Sequence, residues 1–295
     1  MARADTAGVR VDALVRELAA VLAAANVPEA AREGADIVAA LQDAPRFWAA
    51  AHTDQVLGGS LARDARAAAR KRASGAPFAY AVGRAAFRHL TLAVDERVLI
   101  PRAETEELVQ AVLDATGGET GGTAIDLGTG SGAIALALAT EGAFDRIIAT
   151  DVSTAALDVA SANAARIASR GRRVAVEFRA GAWLAPVQGE RAKVVVSNPP
   201  YIALDEAPAL PPSVRDWEPS VALFAADSGM RDIAVIIRGA PAVLEPGGLL
   251  ALEVDSRRAS LAAELALADG RYRDVAVRLD LTGRERILLA RRGEG

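Results

Sequence analysis

Ile125-Asp126-Leu127-Gly128-Thr129-Gly130-Ser131-Gly132 runs from an apolar, strand-like segment into three closely spaced glycines, and from Ala133 to Thr140 the pattern turns helical. Glycines at a strand-to-helix turn let the backbone bend sharply and approach a ligand with no Cβ in the way. Nineteen residues beyond Gly132, Asp151 closes the next strand-like run, where a carboxylate can accept hydrogen bonds from ribose hydroxyls. With Ala133 included, the run also satisfies the fingerprint of dinucleotide-binding loops. The loop and its acid therefore point to an adenosine-bearing cofactor without choosing which one.

Outward from this loop, strand-like and helical runs alternate. The strand-like runs are Ala124 to Leu127, Arg146 to Thr150, Val174 to Phe178, Lys193 to Ser197, Leu249 to Val254, Asp274 to Leu279 and Arg286 to Ala290. Helical patterns fall at Ala133 to Thr140, Thr154 to Ala168, Met230 to Leu244 and Ala259 to Leu267, and a further helix opens after Pro101 with Glu104, Glu106 and Glu107 in its first turns. This alternation predicts an α/β fold with a largely parallel sheet covered on both faces. Pro246-Gly247-Gly248 is expected to be a turn before a strand. Upstream, Val9 to Ser74 is alanine-rich with apolar residues at three- and four-residue steps, predicting about four short helices in a small bundle. Leu90, Leu92 and Val94, then Val98 and Ile100, alternate around Asp95-Glu96, which predicts a linking β-hairpin.

The fourth strand-like run ends in Ser197-Asn198-Pro199-Pro200-Tyr201, at the edge of an open α/β sheet where ligands bind. An amide or exocyclic amine nitrogen is a poor nucleophile because its lone pair is delocalised, so it must be held in line with the group it attacks. Asn198 offers a carboxamide oxygen to accept from an NH2 group and a nitrogen to donate, and the Pro199 carbonyl can accept a second N–H. The Pro199-Pro200 pair stiffens the loop, and Tyr201 can lie against a planar group. With Asp126 beside the glycine loop, this tetrapeptide favours S-adenosylmethionine as cofactor and methylation of a planar nitrogen. The residues alone do not separate glutamine from adenine.

Composition bounds the alternatives. Of 295 residues, 52% are apolar and 24% charged, the balance of a folded globular protein. Cysteine is absent, which excludes disulfides and thiolate chemistry and fits a reducing compartment. The two histidines, His52 and His89, stand far apart with no companion at metal-ligand spacing, so no metal is expected. A net charge of -4 gives no general pull toward nucleic acid or anionic lipid. The arginine-rich stretch from Arg63 to Arg72 is expected to be a solvated helix face. No apolar stretch approaches the ~20 residues of a membrane span. The expectation is a monomeric, cytoplasmic protein.

Over nearly its full length the chain resembles the release factor glutamine methyltransferases of the HemK type. The resemblance rests on Gly75-Ala76-Pro77-Phe78-Ala79-Tyr80 with Gly83 and Phe87, and on Leu99-Ile100-Pro101-Arg102-Ala103-Glu104-Thr105-Glu106. It continues through the Asp126 to Gly132 loop, Val196 to Tyr201, and Asp280-Leu281-Thr282-Gly283-Arg284-Glu285-Arg286. It implies a helical, substrate-docking domain over residues 1–75, the hairpin linker over 76–102, and a seven-stranded Rossmann-like methyltransferase domain over 103–295. It implies cofactor contacts at Asp126, Gly128, Thr129, Gly130, Ser131, Gly132, Asp151, Trp183 and Asn198. The substrate would be the glutamine of a Gly-Gly-Gln motif in a peptide chain release factor, bound by Asn198, Pro199, Pro200 and Tyr201, with Asn198, Pro199 and Tyr201 serving the chemistry. Methylation of a ribosomal-protein glutamine or of adenine is the alternative. Four positions depart from the family pattern: Ala103 for a proline, Ala182 for an acid, and Asp255 and Arg258 for a glycine and a glutamine. They are expected to bear on cofactor affinity and substrate choice.

Overall fold

The computed structural model describes residues 8–117, 120–169 and 175–294. The chain forms two compact units, one from the segment up to Arg84 together with Pro211–Trp217, the other from Ala85–Leu210 together with Glu218 onward.

The first unit contains β1 (Val9–Arg10), α1 (Val11–Ala24), α2 (Ala30–Leu41), α3 (Trp48–Ala51), β2 (Val56–Leu57), α4 (Gly59–Ala73) and α5 (Phe78–Val82). Val11, Leu14, Leu18 and Leu22 recur at three- and four-residue steps on α1 and are fully buried against Ile37, Val38, Ala65 and Ala69. The short antiparallel pairing of β1 with β2 carries no sequence signal. The arginine-rich α4 exposes Arg63, Asp64 and Arg70, and two of its other arginines form ion pairs within the unit. Arg66 reaches both carboxylate oxygens of Glu17 at 2.7 and 2.8 Å, and Arg72 those of Glu33 at 2.8 and 3.0 Å.

In the second unit, β3 (Arg84–Phe87) and β4 (Leu90–Ala93) form a hairpin. Its turn is Arg88-His89, not Asp95-Glu96, and Val98 and Ile100 lie outside any strand. Arg88 takes a left-handed φ of 51°, with its guanidinium on Glu141 at 2.6 to 2.9 Å and its backbone N–H on Glu106. Asp95 instead accepts the Arg97 N–H at 3.1 Å, coiling the chain away from strand geometry.

The remaining elements are α6 (Ala103–Thr116), β5 (Thr123–Leu127), α7 (Ala133–Glu141), β6 (Arg146–Asp151), α8 (Thr154–Ala168), β7 (Val176–Ala180), β8 (Ala192–Ser197), α9 (Pro212–Arg215, in the first unit), α10 (Ser220–Leu223), α11 (Arg231–Gly239), β9 (Leu244–Glu253), α12 (Ala259–Asp269), β10 (Tyr272–Leu279) and β11 (Glu285–Arg292). Seven strands make one sheet in the order β10-β11-β9-β8-β5-β6-β7, parallel from β9 through β7, with β11 antiparallel to both its neighbours. Strand alternation divides the core. Ala124, Val194 and Val196 pack toward α6 and α7, while Ile125, Leu127 and Val195 pack toward α11 and α12. Both faces are covered, so the central strands are almost wholly apolar.

Two boundaries differ from expectation. Pro246-Gly247-Gly248 lies inside β9 as a bulge: the register with β8 jumps from Ala192↔Leu244 to Val194↔Leu249. The helix expected to continue to Leu244 ends as α11 at Gly239, two residues before Pro241, which has no N–H to give. Of the third expected strand, Val174 lies outside the described residues.

Candidate active site

The chain order reverses between β5 and β8, and a ligand crevice is expected outside the carboxyl ends of strands at such a point. Register places the functional positions side by side there. Leu127 pairs with Thr150 and with Ser197, and Ser197 with Leu252, so Gly128, Asp151, Asn198 and Glu253 each follow or end neighbouring strands at one edge. A cavity of about 290 Å³ opens at this edge, lined by Gly128, Gly130, Asp151, Trp183, Asn198 and Pro200 among others. Asp126, Thr129, Ser131, Gly132, Pro199 and Tyr201 stand behind that lining.

The loop is held by its own acids. Asp126 is fully buried; its Oδ2 accepts the Thr129 hydroxyl at 2.6 Å and the Ala135 N–H at 3.1 Å. Its Oδ1 has no partner among the described residues, and burial pushes the carboxyl up to about 7. Asp151 accepts the Gly130 N–H at 2.9 Å through Oδ2 and the Ser153 N–H at 2.8 Å through Oδ1. Burial raises its pKa, while the backbone donors of Ser153, Gly130 and Val152 pull it back. Gly130 has φ +56°, and a Cβ there would stand in open space. Gly132, at φ +83°, is needed for packing, since a Cβ would meet Leu136 at 3.0 Å and Ala160 at 3.3 Å. Trp183 holds a left-handed φ of 48°, a strained conformation for an aromatic residue, and presents its ring to the cavity.

The tetrapeptide is tied down at both ends. The buried Ser197 hydroxyl donates to the Leu127 carbonyl at 2.6 Å, locking the end of β8 to the start of the glycine loop. Asn198 Nδ2 donates to the Thr105 hydroxyl at 3.0 Å, and Thr105 donates to Glu253 Oε2 at 2.6 Å. Tyr201 donates to Glu253 Oε1 at 3.2 Å. Burial, followed by the Glu253 charge, pushes the Tyr201 hydroxyl far above its ordinary range. In the sequence Thr105 stands within the Leu99–Glu106 stretch and Glu253 within the strand-like run Leu249 to Val254, and neither carries a local signal of a role.

The stretch Leu99 to Glu106 is the scaffold of this edge. Leu99 lines the cavity, the Ile100 N–H and the Arg102 guanidinium both bind the buried Glu218, and Thr105 reaches Asn198. Asn163, a polar residue on the apolar stripe of α8, went unnoticed in the sequence. Its side chain bonds the Ser131 carbonyl at 2.9 Å and both backbone groups of Ala93, coupling the hairpin to the glycine loop. A buried asparagine between Ala160 and Ile167 was the available signal.

The four departures from the family pattern separate. Ala103 is the first residue of α6, where proline is favoured but not required. Ala182 lines the cavity as a neutral residue. Asp255 and Arg258 compensate each other: Arg258 is buried and donates to Asp255 at 2.9 Å, to the Ser228 carbonyl at 2.7 Å and to Glu206 at 3.1 Å. The pair anchors the segment between β8 and α11.

The comparisons agree with this geometry. The family model described as methyltransferase small domain matches residues 104–208. A methyltransferase structure from Pyrococcus furiosus superposes with TM-score 0.51 over 70% of this chain and 91% of its own at 18% identity, which bears on the fold alone. The release factor glutamine methyltransferase of Cereibacter sphaeroides is 41% identical over 270 residues, covering 92% of this chain and 94% of the relative. That of Moorella thermoacetica is 42% identical over 224 residues, 76% of this chain and 78% of the relative. With a seven-stranded methyltransferase sheet, the asparagine-proline-proline-tyrosine loop at its switch point and relatives that align over almost the whole chain, this protein belongs to the release factor glutamine methyltransferase family.

Proposed function

We propose that this chain methylates the side-chain amide nitrogen of the glutamine in the Gly-Gly-Gln motif of a peptide chain release factor, with S-adenosylmethionine as donor. The observation that carries the reading is Asn198, which lines the same cavity as the glycine loop and Asp151 and heads the stiff tetrapeptide. The residues present fit the cofactor. The open space at Gly130 admits a ligand against the backbone, Asp126 Oδ1 is a buried acceptor without a partner among the described residues, and the Asp151 carboxylate lines the cavity. Asp151 would hold the ribose hydroxyls, and Trp183 would pack on the adenine. When bound, the cofactor supplies an electrophilic methyl group on a sulfonium centre.

The protein's part is orientation and electrostatics. Asn198 Oδ1 and the Pro199 carbonyl each accept one N–H of the glutamine carboxamide, aligning its nitrogen and drawing electron density toward it. The N–C bond would form as the sulfonium S–CH3 bond breaks to a neutral thioether, and the one proton shed by the nitrogen would pass to solvent, leaving a neutral secondary amide. Tyr201, kept in its protonated form by burial, serves as a flat wall and not as a base. Among its described residues the first compact unit has no such cluster of functional groups, and it acts as the docking surface for the protein substrate. The absence of cysteine fits a cytoplasmic enzyme, and no described helix is long and apolar enough to cross a membrane.

The test is incubation with labelled S-adenosylmethionine and purified release factor, followed by peptide mapping. Label on the motif glutamine supports the reading, and label on adenine in added nucleic acid, or on a ribosomal-protein glutamine, overturns it.

A further inference from the structure

Glu253 ends β9, is 1% exposed, and holds the tetrapeptide directly at Tyr201 through Oε1 and, by way of Thr105, at Asn198 through Oε2. A carboxylate only accepts, so the single proton of the Thr105 hydroxyl is committed to Glu253, and the Thr105 oxygen can only accept from Asn198. Burial raises the Glu253 carboxyl above its ordinary range, although the Thr105 hydroxyl, the nearby Arg286 charge and Tyr201 favour its charged form. With Glu253 ionised the donors run one way, from Asn198 through Thr105 to Glu253. This ties one N–H of the Asn198 carboxamide to the protein, fixes the side on which Nδ2 lies, and leaves Oδ1 as the acceptor offered to the cavity.

We infer that Thr105 and Glu253 are positioning residues that set the orientation of the Asn198 carboxamide and thereby make the site select an amide over a carboxylate at the methyl-accepting position. The inference rests on the function proposed above. A glutamine brings N–H donors to Asn198 Oδ1. A glutamate in the same place brings only acceptors and is repelled. A reversed Asn198 would present Nδ2 and favour the acid. Binding alone thus discriminates between two side chains of nearly equal volume, as sites built to pair a specific polar group do.

The experiment uses the full chain with Thr105→Val, Thr105→Ser and Glu253→Gln, and two peptides that differ only as Gly-Gly-Gln and Gly-Gly-Glu. Peptide affinity is measured on protein saturated with S-adenosylhomocysteine, and single-turnover methylation is measured on the Gln peptide. For Thr105→Val the expected result is transfer slowed by about 10-fold to 100-fold, with cofactor affinity within about 2-fold of wild type. The Gln-over-Glu binding preference should shrink by about 10-fold, a change that simple loosening of α6 against β9 does not produce. Thr105→Ser, which keeps the hydroxyl, restores both quantities. Glu253→Gln, whose new amide can donate to Thr105 and reverse the chain, shows the same loss of preference. An unchanged preference in Thr105→Val, or in Glu253→Gln should the valine variant fail to fold, overturns the inference while leaving the functional reading intact. Failure of the wild-type protein to methylate either the Gln peptide or the release factor overturns both.

Discussion

Asp151 Oδ2 accepts the backbone N–H of Gly130 at 2.9 Å, so the acid that closes β6 and the middle glycine of the loop after β5 form one unit. A substitution at Asp151 would remove the proposed ribose acceptor and also release the loop. Charge-assisted hydrogen bonds of this kind contribute about 1.5–3 kcal/mol each. Asp151→Ala should weaken S-adenosylmethionine binding by about tenfold or more. Asp151→Asn should not rescue it, because an NH2 group would face the N–H of Gly130 or Ser153. Calorimetry on the two variants decides the matter, and wild-type affinity in either would remove Asp151 from the cofactor site.

At Asn198 the observed partners sharpen the expectation from sequence, in which the carboxamide offers an oxygen to accept and a nitrogen to donate. That nitrogen is turned to Thr105. Asn198→Ala should lower single-turnover methylation by on the order of 10²-fold, with cofactor affinity largely retained. Asn198→Asp keeps an acceptor for the glutamine N–H but faces the Thr105 hydroxyl, already committed to Glu253, with a second carboxylate. It should be at least as slow as the alanine variant. Transfer close to normal in Asn198→Ala would reduce the tetrapeptide to a strand terminator.

Asp126 gives a signature in pH. Its folded pKa is about 7 because of burial, against about 3.9 for an unfolded aspartate. Between those values the folded state binds the proton more tightly than the unfolded state, so this group's contribution to stability is greatest below about pH 4 and falls as pH rises toward 7. Asp126→Asn, neutral throughout, should lack that slope. The difference in Tm between variant and wild type, measured without cofactor, should move in the variant's favour by on the order of a few °C from pH 5 to pH 8. A difference that is flat across this range would show the carboxylate to be solvated.

The docking role of the first unit can be separated from the chemistry. Because Pro211–Trp217 belongs to that unit, a cut after residue 74 alone would leave this segment without the elements it packs with. The cleaner variant removes the chain through Arg84 and replaces Pro211–Trp217 with a glycine-serine linker. Cofactor affinity should stay within about 3-fold and transfer to a short Gly-Gly-Gln peptide should persist, while kcat/KM for the intact release factor drops by about tenfold or more. Equal rates on peptide and intact protein would end the docking assignment.

The sequence by itself determined the fold class, the glycine-rich loop after β5 and the asparagine-proline-proline-tyrosine loop after β8. Alternation of strand and helix periods, three glycines after β5, Asp151 after β6 and Asn198 after β8 are all local signals, and chain order in a parallel sheet brings the carboxyl ends of those strands together. The hairpin was placed in the right stretch but with the wrong turn, because Arg88 takes a positive φ with the help of Glu141 and Glu106, far away in the chain. Only the tertiary structure decided what holds the site. Thr105 is 93 residues from Asn198 and 148 from Glu253, Asn163 is 32 from Ser131, and Pro211–Trp217 joins the opposite unit. Period and propensity describe how a residue faces its own element. A hydrogen bond between elements depends on which two side chains the packed sheet brings within 3 Å, and spacing along one chain does not encode that.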